Sequence, residues 1–94
     1  MISYKLYVKK AEKLRAMAHP CRLCIIKGLM EKQCSVAKIQ ECLGLPQSTV
    51  SQHLSKLKAA GIIEGEKDGQ KTCYSVVDKE AISIINALFK EDQA

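Results

Sequence analysis

In residues 45–63, LPQSTVSQHLSKLKAAGII, apolar side chains recur at helical spacing at Val50, Leu54 and Leu57. Gly61 then stands where a left-handed residue ends a helix. A helix with such a stripe has to lay it on a core, so the segment predicts one packed helix together with its end. Its opening turns carry a different message. Gln47, Ser48, Thr49, Ser51, Gln52 and His53 form a run of hydrogen-bonding groups without one acid. A helix built only for solubility mixes Glu and Lys for pairing and propensity. Amides, hydroxyls and imidazoles match the donors and acceptors on base edges in a major groove, so the segment reads as a DNA-recognition helix.

The flanking residues supply a frame for it. Ser3 is placed to cap a first helix with Tyr4, Tyr7, Val8, Ala11, Leu14 and Ala18 at helical spacing. Pro20 starts a second, roughly Cys21 to Met30, with Leu23, Ile26 and Leu29 or Met30 inward. Ser35 caps a short third helix that turns Val36, Ile39 and Leu43 inward and stops at Gly44. Two helices joined by a brief glycine-containing turn, the second one polar, make a helix-turn-helix. Beyond Gly61, Ile62–Ile63 and Lys71–Val77 read as two strands, with Lys67-Asp68-Gly69-Gln70 as the tight turn. A last helix, about Asp78 to Lys90, lines up Ala81, Ile82, Ile85, Leu88 and Phe89, and Ile84 widens that side.

The fold expected is therefore mainly α (α+β): a winged helix-turn-helix in the order α-α-α-α-β-β-α, one domain over residues 1–94. The hairpin is the wing, and its Lys67 and Lys71, with Lys56 on the recognition helix, suit backbone phosphates. Both terminal helices, 3–18 and 78–90, are strongly apolar for the ends of so small a domain. Packing against a second copy would bury that surface, so the expectation is a homodimer built from them.

Charge and cysteine content narrow the setting. The net charge of +5 favours a polyanionic partner. The excess lies in the N-terminal third, where Lys5, Lys9, Lys10, Lys13, Arg15, Arg22, Lys27 and Lys32 face only Glu12 and Glu31. Those first lysines also fit the solvated face of a helix. No apolar run approaches a membrane span and the N-terminus lacks a signal-peptide core, so the expected location is cytoplasmic, with no membrane partner. Five cysteines, an odd count without an export signal, then predict reduced thiols and no disulfide framework.

AMAHPCRL (16–23), SVAKIQECLGLPQSTVSQHLSKLKAAGII (35–63) and DGQKTCYSV (68–76), in that order, resemble the ArsR/SmtB family of winged-helix repressors. The resemblance spans nearly the whole chain. It implies a homodimer that binds double-stranded operator DNA and is released by a metal, metalloid or thiol-reactive signal. It also implies base contacts at Gln47, Ser48, Ser51 and Gln52. Pro46 stands where the family often has a capping Ser or Thr, which a helix start tolerates.

The family's usual inducer sites do not carry over. Its Cys-x-Cys at the start of the third helix falls on Ser35 and Ala37. Its zinc-type site on the last helix falls on Asp78, Glu80, Glu91 and Ala94, a set without the nitrogen or sulfur donors that zinc prefers. Cys21 and Cys24, at i and i+3 in the first turns of one helix, are the remaining sensing candidates. The helix N-terminus and Arg22 favour their thiolates, which would take a soft ion, arsenite with a third sulfur, or an oxidant. Packing as small hydrophobes is the competing account. Cys34 joins the candidates if folding brings it to another thiol. Cys42 and Cys73 read as packing residues, His53 as part of the reader, and His19 as a helix-capping residue.

The cofactor is unspecified: a thiophilic metal or metalloid fits, and folding requires none. Against the repressor stand a winged-helix regulator without a cysteine-based inducer and a protein-interaction module that has lost DNA binding. An enzyme, a thiol oxidoreductase using Cys21-x-x-Cys24, lacks the preceding β-strand that such a motif requires.

Overall fold

The structure is a computed structural model and describes residues 3–90. Along the chain run α1 (Tyr4–Met17), α2 (Pro20–Glu31), α3 (Val36–Leu43), α4 (Gln47–Ala59), β1 (Ile63–Asp68), β2 (Lys71–Val76) and α5 (Lys79–Leu88). This is the winged-helix order that the sequence predicts.

The core forms where the apolar stripes meet. Ile25, Ile26 and Leu29 of α2, Val50, Leu54 and Leu57 of α4, Ile62 and Ile63 at the root of the hairpin, and Ala81 and Ile85 of α5 are buried together. The expected inward face of α4 is thus observed, and the polar turns of that helix are left outward. Its end is a Schellman motif. Gly61, at φ +76°, donates to the Lys58 carbonyl while Ile62 donates to the Leu57 carbonyl. Leu57 and Ile62 are both fully buried, which supplies the apolar contact that such an ending carries.

Ile62 does more than end the helix. Its carbonyl accepts from the Val77 and Asp78 amides, and the Asp78 carboxylate caps α5 by accepting from the Ala81 amide at 2.9 Å. One residue therefore joins the end of α4, the root of the wing and the start of α5.

The hairpin is antiparallel, with Ile63 opposite Val76 and Asp68 opposite Lys71. Its strands run further toward the tip than expected, leaving a two-residue loop of Gly69 and Gln70. Gly69 alone of the two has positive φ, +67°, at the position a type II′ turn gives to glycine.

Two expectations, the serine caps and the packing of Cys42, change on folding. Ser3 and Ser35 stand at N-cap positions, but neither side chain accepts a capping hydrogen bond. The Ser35 hydroxyl instead donates to the Lys32 carbonyl at 2.7 Å, tying α3 back to the end of α2. Cys42 is exposed and not a core residue, because Ile39 and Leu43 already occupy the inward side of α3. The apolar stripe of α1 faces away from the core: Met17 is buried, whereas Tyr7 and Leu14 are 59% and 52% exposed.

Ion pairs hold α1 to α5. Lys10 reaches Glu80 at 2.6 Å, and Lys13 bridges Asp78 at 3.0 Å and Glu80 at 2.7 Å. The hydrogen bonds from Lys10 and Lys13 pull the Glu80 carboxyl down to about 2 from its ordinary 4.5. Folding thus favours the ionised form. The clamp's contribution is full above pH 4.5 and drains away as pH falls toward 2. In low salt, the melting temperature of the wild type is expected to fall more steeply over that interval than that of Glu80→Gln. Superimposable profiles would show that the clamp contributes nothing.

Candidate nucleic-acid interface

Burying Val50, Leu54 and Leu57 sets which side chains of α4 face out. Gln47, Ser48, Ser51, Gln52 and Lys56 are exposed, while Thr49 and His53 are half-buried along the edge. The helix begins without a side-chain cap, since Pro46 has no group to offer. The Thr49 amide turns back to the Pro46 carbonyl, and the Gln47 and Ser48 amides are left for water or an anion, at the positive end of the helix dipole.

The wing rises beside this helix. Gln47 and Ser51 of α4, Ala37 and Gln40 of α3, and Lys71 and Thr72 of β2 line one groove of about 510 Å³. Lys67 and Lys71 are exposed at the ends of the strands that flank the turn. Reader, neighbouring helix and wing thus share a single concave surface, although 24 positions separate Gln47 from Lys71 in the chain. Lys56 lies elsewhere, in a second concavity of about 390 Å³ with Arg15 and Arg22. The Arg22 guanidinium reaches the Ala16 carbonyl at 3.1 Å through one Nη, while its buried Nε has no partner among the described residues. Sequence reasoning missed Gln40, Arg15 and Arg22 as neighbours of the reader. The helix-turn-helix pattern set α3 beside α4 without saying which side chains meet, and nothing in the linear pattern set α1 there.

His19 caps α2, as expected: its Nδ1 accepts from the Cys21 amide at 3.1 Å. His53 packs against it, with ring centroids 4.5 Å apart and planes inclined by 52°. Burial, then the charges of His19, Arg22 and Lys56, push His53 below its usual 6.5.

The cysteines depart most from expectation. Cys34, in the turn before α3, is joined by a disulfide to Cys73 on β2, with Cα atoms 4.4 Å apart. Cys73 is thus a bonded partner and not a packing residue, and these two thiols are not reduced. The pairing is tertiary: 39 positions separate the two residues. Cys34 also adopts φ +64°, a left-handed conformation that costs a non-glycine residue about 1–3 kcal/mol. Its amide donates to the Tyr74 carbonyl at 3.2 Å, so the turn is pinned to the wing by backbone as well.

Cys21 is half-buried and Cys24 exposed, and both are free. Desolvation, with the neighbouring Cys42 and Cys21 thiols and Glu31 adding to it, pushes the Cys24 thiol up. That is opposite to the thiolate expected from a helix N-terminus, and its causes are desolvation first and like charges after it. Asp78 and Glu80 are engaged by lysines, while Glu91 and Ala94 lie outside the described residues. Among the described residues, no helix is long and apolar enough to cross a membrane.

Comparison with known proteins places this geometry in context. The family model described as "Bacterial regulatory protein, arsR family" matches residues 19–65. The transcriptional repressor SmtB of Mycobacterium tuberculosis is 42% identical over 74 residues, which are 79% of this chain and 55% of SmtB. The chain thus spans little more than half of that relative. The transcriptional repressor PagR of Bacillus anthracis is 39% identical over 88 residues, covering 93% of this chain and 88% of PagR. The structure of reduced HlyU from Vibrio cholerae superposes with a TM-score of 0.86 at 31% identity, over 97% of this chain and 96% of HlyU.

Proposed function

The chain belongs to the ArsR family of bacterial regulatory proteins, and from that membership we propose that it is a homodimeric repressor of transcription, holding operator DNA and releasing it on a thiol signal. The observation that carries this reading is the shared groove of α3, α4 and the wing. The outward face of α4 enters the major groove, where Gln47, Ser48, Ser51 and Gln52 meet base edges. Lys67 and Lys71 on the wing and Lys56 on α4 hold phosphates, and they set orientation more than sequence. A second copy, docked through the outward stripes of α1 and α5, places a second reader on the other half of a palindromic site.

Release is assigned to Cys34 and Cys73, and Cys21 and Cys24 are left as reserve thiols. With a small-molecule disulfide as oxidant, the Cys34 thiolate attacks one sulfur and expels the first small thiol. Cys73 then displaces the second, so two protein thiols lose two electrons and one external disulfide becomes two thiols. The new bond clips the wing to the start of α3. Solution of HlyU in a form called reduced is in keeping with thiol chemistry on this fold.

The reader is tested by titrating promoter DNA against wild type and the Gln47→Ala/Ser51→Ala variant. A good base contact is worth roughly 1–3 kcal/mol, so the double change is expected to weaken specific binding by about 30-fold or more. Binding to unrelated DNA should move little, and both proteins should lose affinity steeply as salt rises. A variant as tight and as selective as wild type would sink the assignment.

A further inference from the structure

Two imidazoles and a thiol converge where α2 begins and α4 passes it. His19 precedes α2, Cys21 sits in its first turn, and His53 comes from the middle of α4. One donor atom of each lies within 4.8 Å of the other two. All three side chains are half-buried, so the cluster is enclosed on the protein side and open to an arriving ion.

We propose that His19, Cys21 and His53 form a binding site for a divalent transition ion of borderline softness, one ion per protomer, with water in a fourth position. The donor set is the argument. Two nitrogens and one sulfur suit zinc and cobalt, whereas magnesium and calcium require oxygen. A tetrahedral ion with bonds of about 2.0–2.3 Å brings its donors to roughly 3.3–3.6 Å from one another. Closing the cluster therefore asks the donors to approach by no more than about 1–1.5 Å.

The chemistry balances. A divalent ion enters, Cys21 gives up its thiol proton to solvent, and the loaded site carries one net positive charge. His19 must also release the Cys21 amide. If Nδ1 takes the ion, its lone pair is spent. If Nε2 takes it, Nδ1 carries the proton and no longer accepts. The loaded state thus exchanges a helix cap for a bond that joins the start of α2 to the recognition helix. Arg22 and Lys56 oppose a cation there, and the Cys21 thiolate lowers the charge they oppose from +2 to +1.

The site stands apart from the thiol pair at the wing, and because His53 belongs to the recognition helix, metal binding is measured without DNA. The reduced 94-residue chain is titrated with Co(II) alone while absorption is followed. One equivalent per protomer is expected, with tetrahedral visible bands and a thiolate-to-cobalt charge-transfer band. Cys21→Ser is expected to abolish the charge-transfer band. His53→Gln is expected to weaken affinity beyond the roughly 10–100-fold that losing an outer-shell partner costs. Circular dichroism checks that both variants stay folded, and Cys34→Ser/Cys73→Ser serves as a second thiol control expected to titrate like wild type. Survival of the band in Cys21→Ser, its loss in Cys34→Ser/Cys73→Ser, or absence of stoichiometric binding by wild type would each overturn the proposal. Any of these outcomes leaves the operator-binding reading standing, because that reading is measured separately.

Discussion

Reducing the Cys34–Cys73 disulfide is expected to tighten operator binding at least tenfold and, at the same time, to lower the melting temperature. The two effects have different origins. A crosslink closing a loop of this length withdraws entropy from the unfolded chain, worth about 3–4 kcal/mol in the loop-closure account. In a domain of this size that corresponds to a fall of roughly 10–25 °C on reduction. The effect on DNA arises in the folded state. Cys34 lines the groove shared by α4 and the wing, so a covalent clip there fixes the distance between Gln47 and Ser51 on one side and Lys71 on the other. Freed of the clip, the wing adjusts to the phosphates while α4 stays seated. A tenfold change needs a coupling of only about 1.4 kcal/mol, within the ordinary range for switches. The comparison requires the same preparation with and without reductant, and Cys34→Ser/Cys73→Ser should match the reduced form in both. Equal affinity in the two redox states, or tighter binding when oxidised, would remove the disulfide from the release mechanism.

A charge placed in the outward stripe of α1 is expected to act on a larger scale. Tyr4, Tyr7, Leu14 on α1 and Leu88 on α5 are each more than half exposed in the single chain, so they contribute little to its own core. Tyr7→Glu/Leu14→Glu should therefore leave the protomer folded. In a dimer built on these helices it buries unpaired like charges, which costs several kcal/mol. Sedimentation is expected to report a monomer, and operator affinity to fall by about 100-fold or more as one set of base contacts is lost. A dimer that persists would mean the two copies meet elsewhere.

The helices and their buried faces were legible in the sequence because periodicity is a local signal. Val50, Leu54 and Leu57 repeat at helical spacing, and Gly61 supplies the one backbone state that ends α4 cleanly. The polar face of α4 followed by subtraction. What lay beyond reach was which side chains meet between elements. Cys42 shares α3 with buried residues, and only the placement of that helix against α2 decides that its thiol points outward. Ser35 has the composition of a cap, yet the Lys32 carbonyl at the end of α2 lies close enough to accept its hydroxyl hydrogen bond. Cys34 and Cys73 meet because the turn before α3 runs alongside β2, and His53 meets His19 because α4 crosses the start of α2. A one-dimensional pattern says which residues share a face. It does not say what that face will touch.

Ile62 has a mechanical meaning for how such a protein acquires its signals. Its amide belongs to the ending of α4 and its carbonyl to the start of α5, whose cap, Asp78, is gripped by Lys13 of α1. The reader is thus coupled without slack to both outward helices. Tilting α5 reaches α4 through the backbone hydrogen bonds of Ile62, and tilting α1 reaches it through the Lys13–Asp78 ion pair. In the proposed repressor, a signal's address on those helices would be interchangeable: wherever a ligand re-spaced the pair, the same linkage would carry the motion to the DNA, and a new sensor site would need no new wiring.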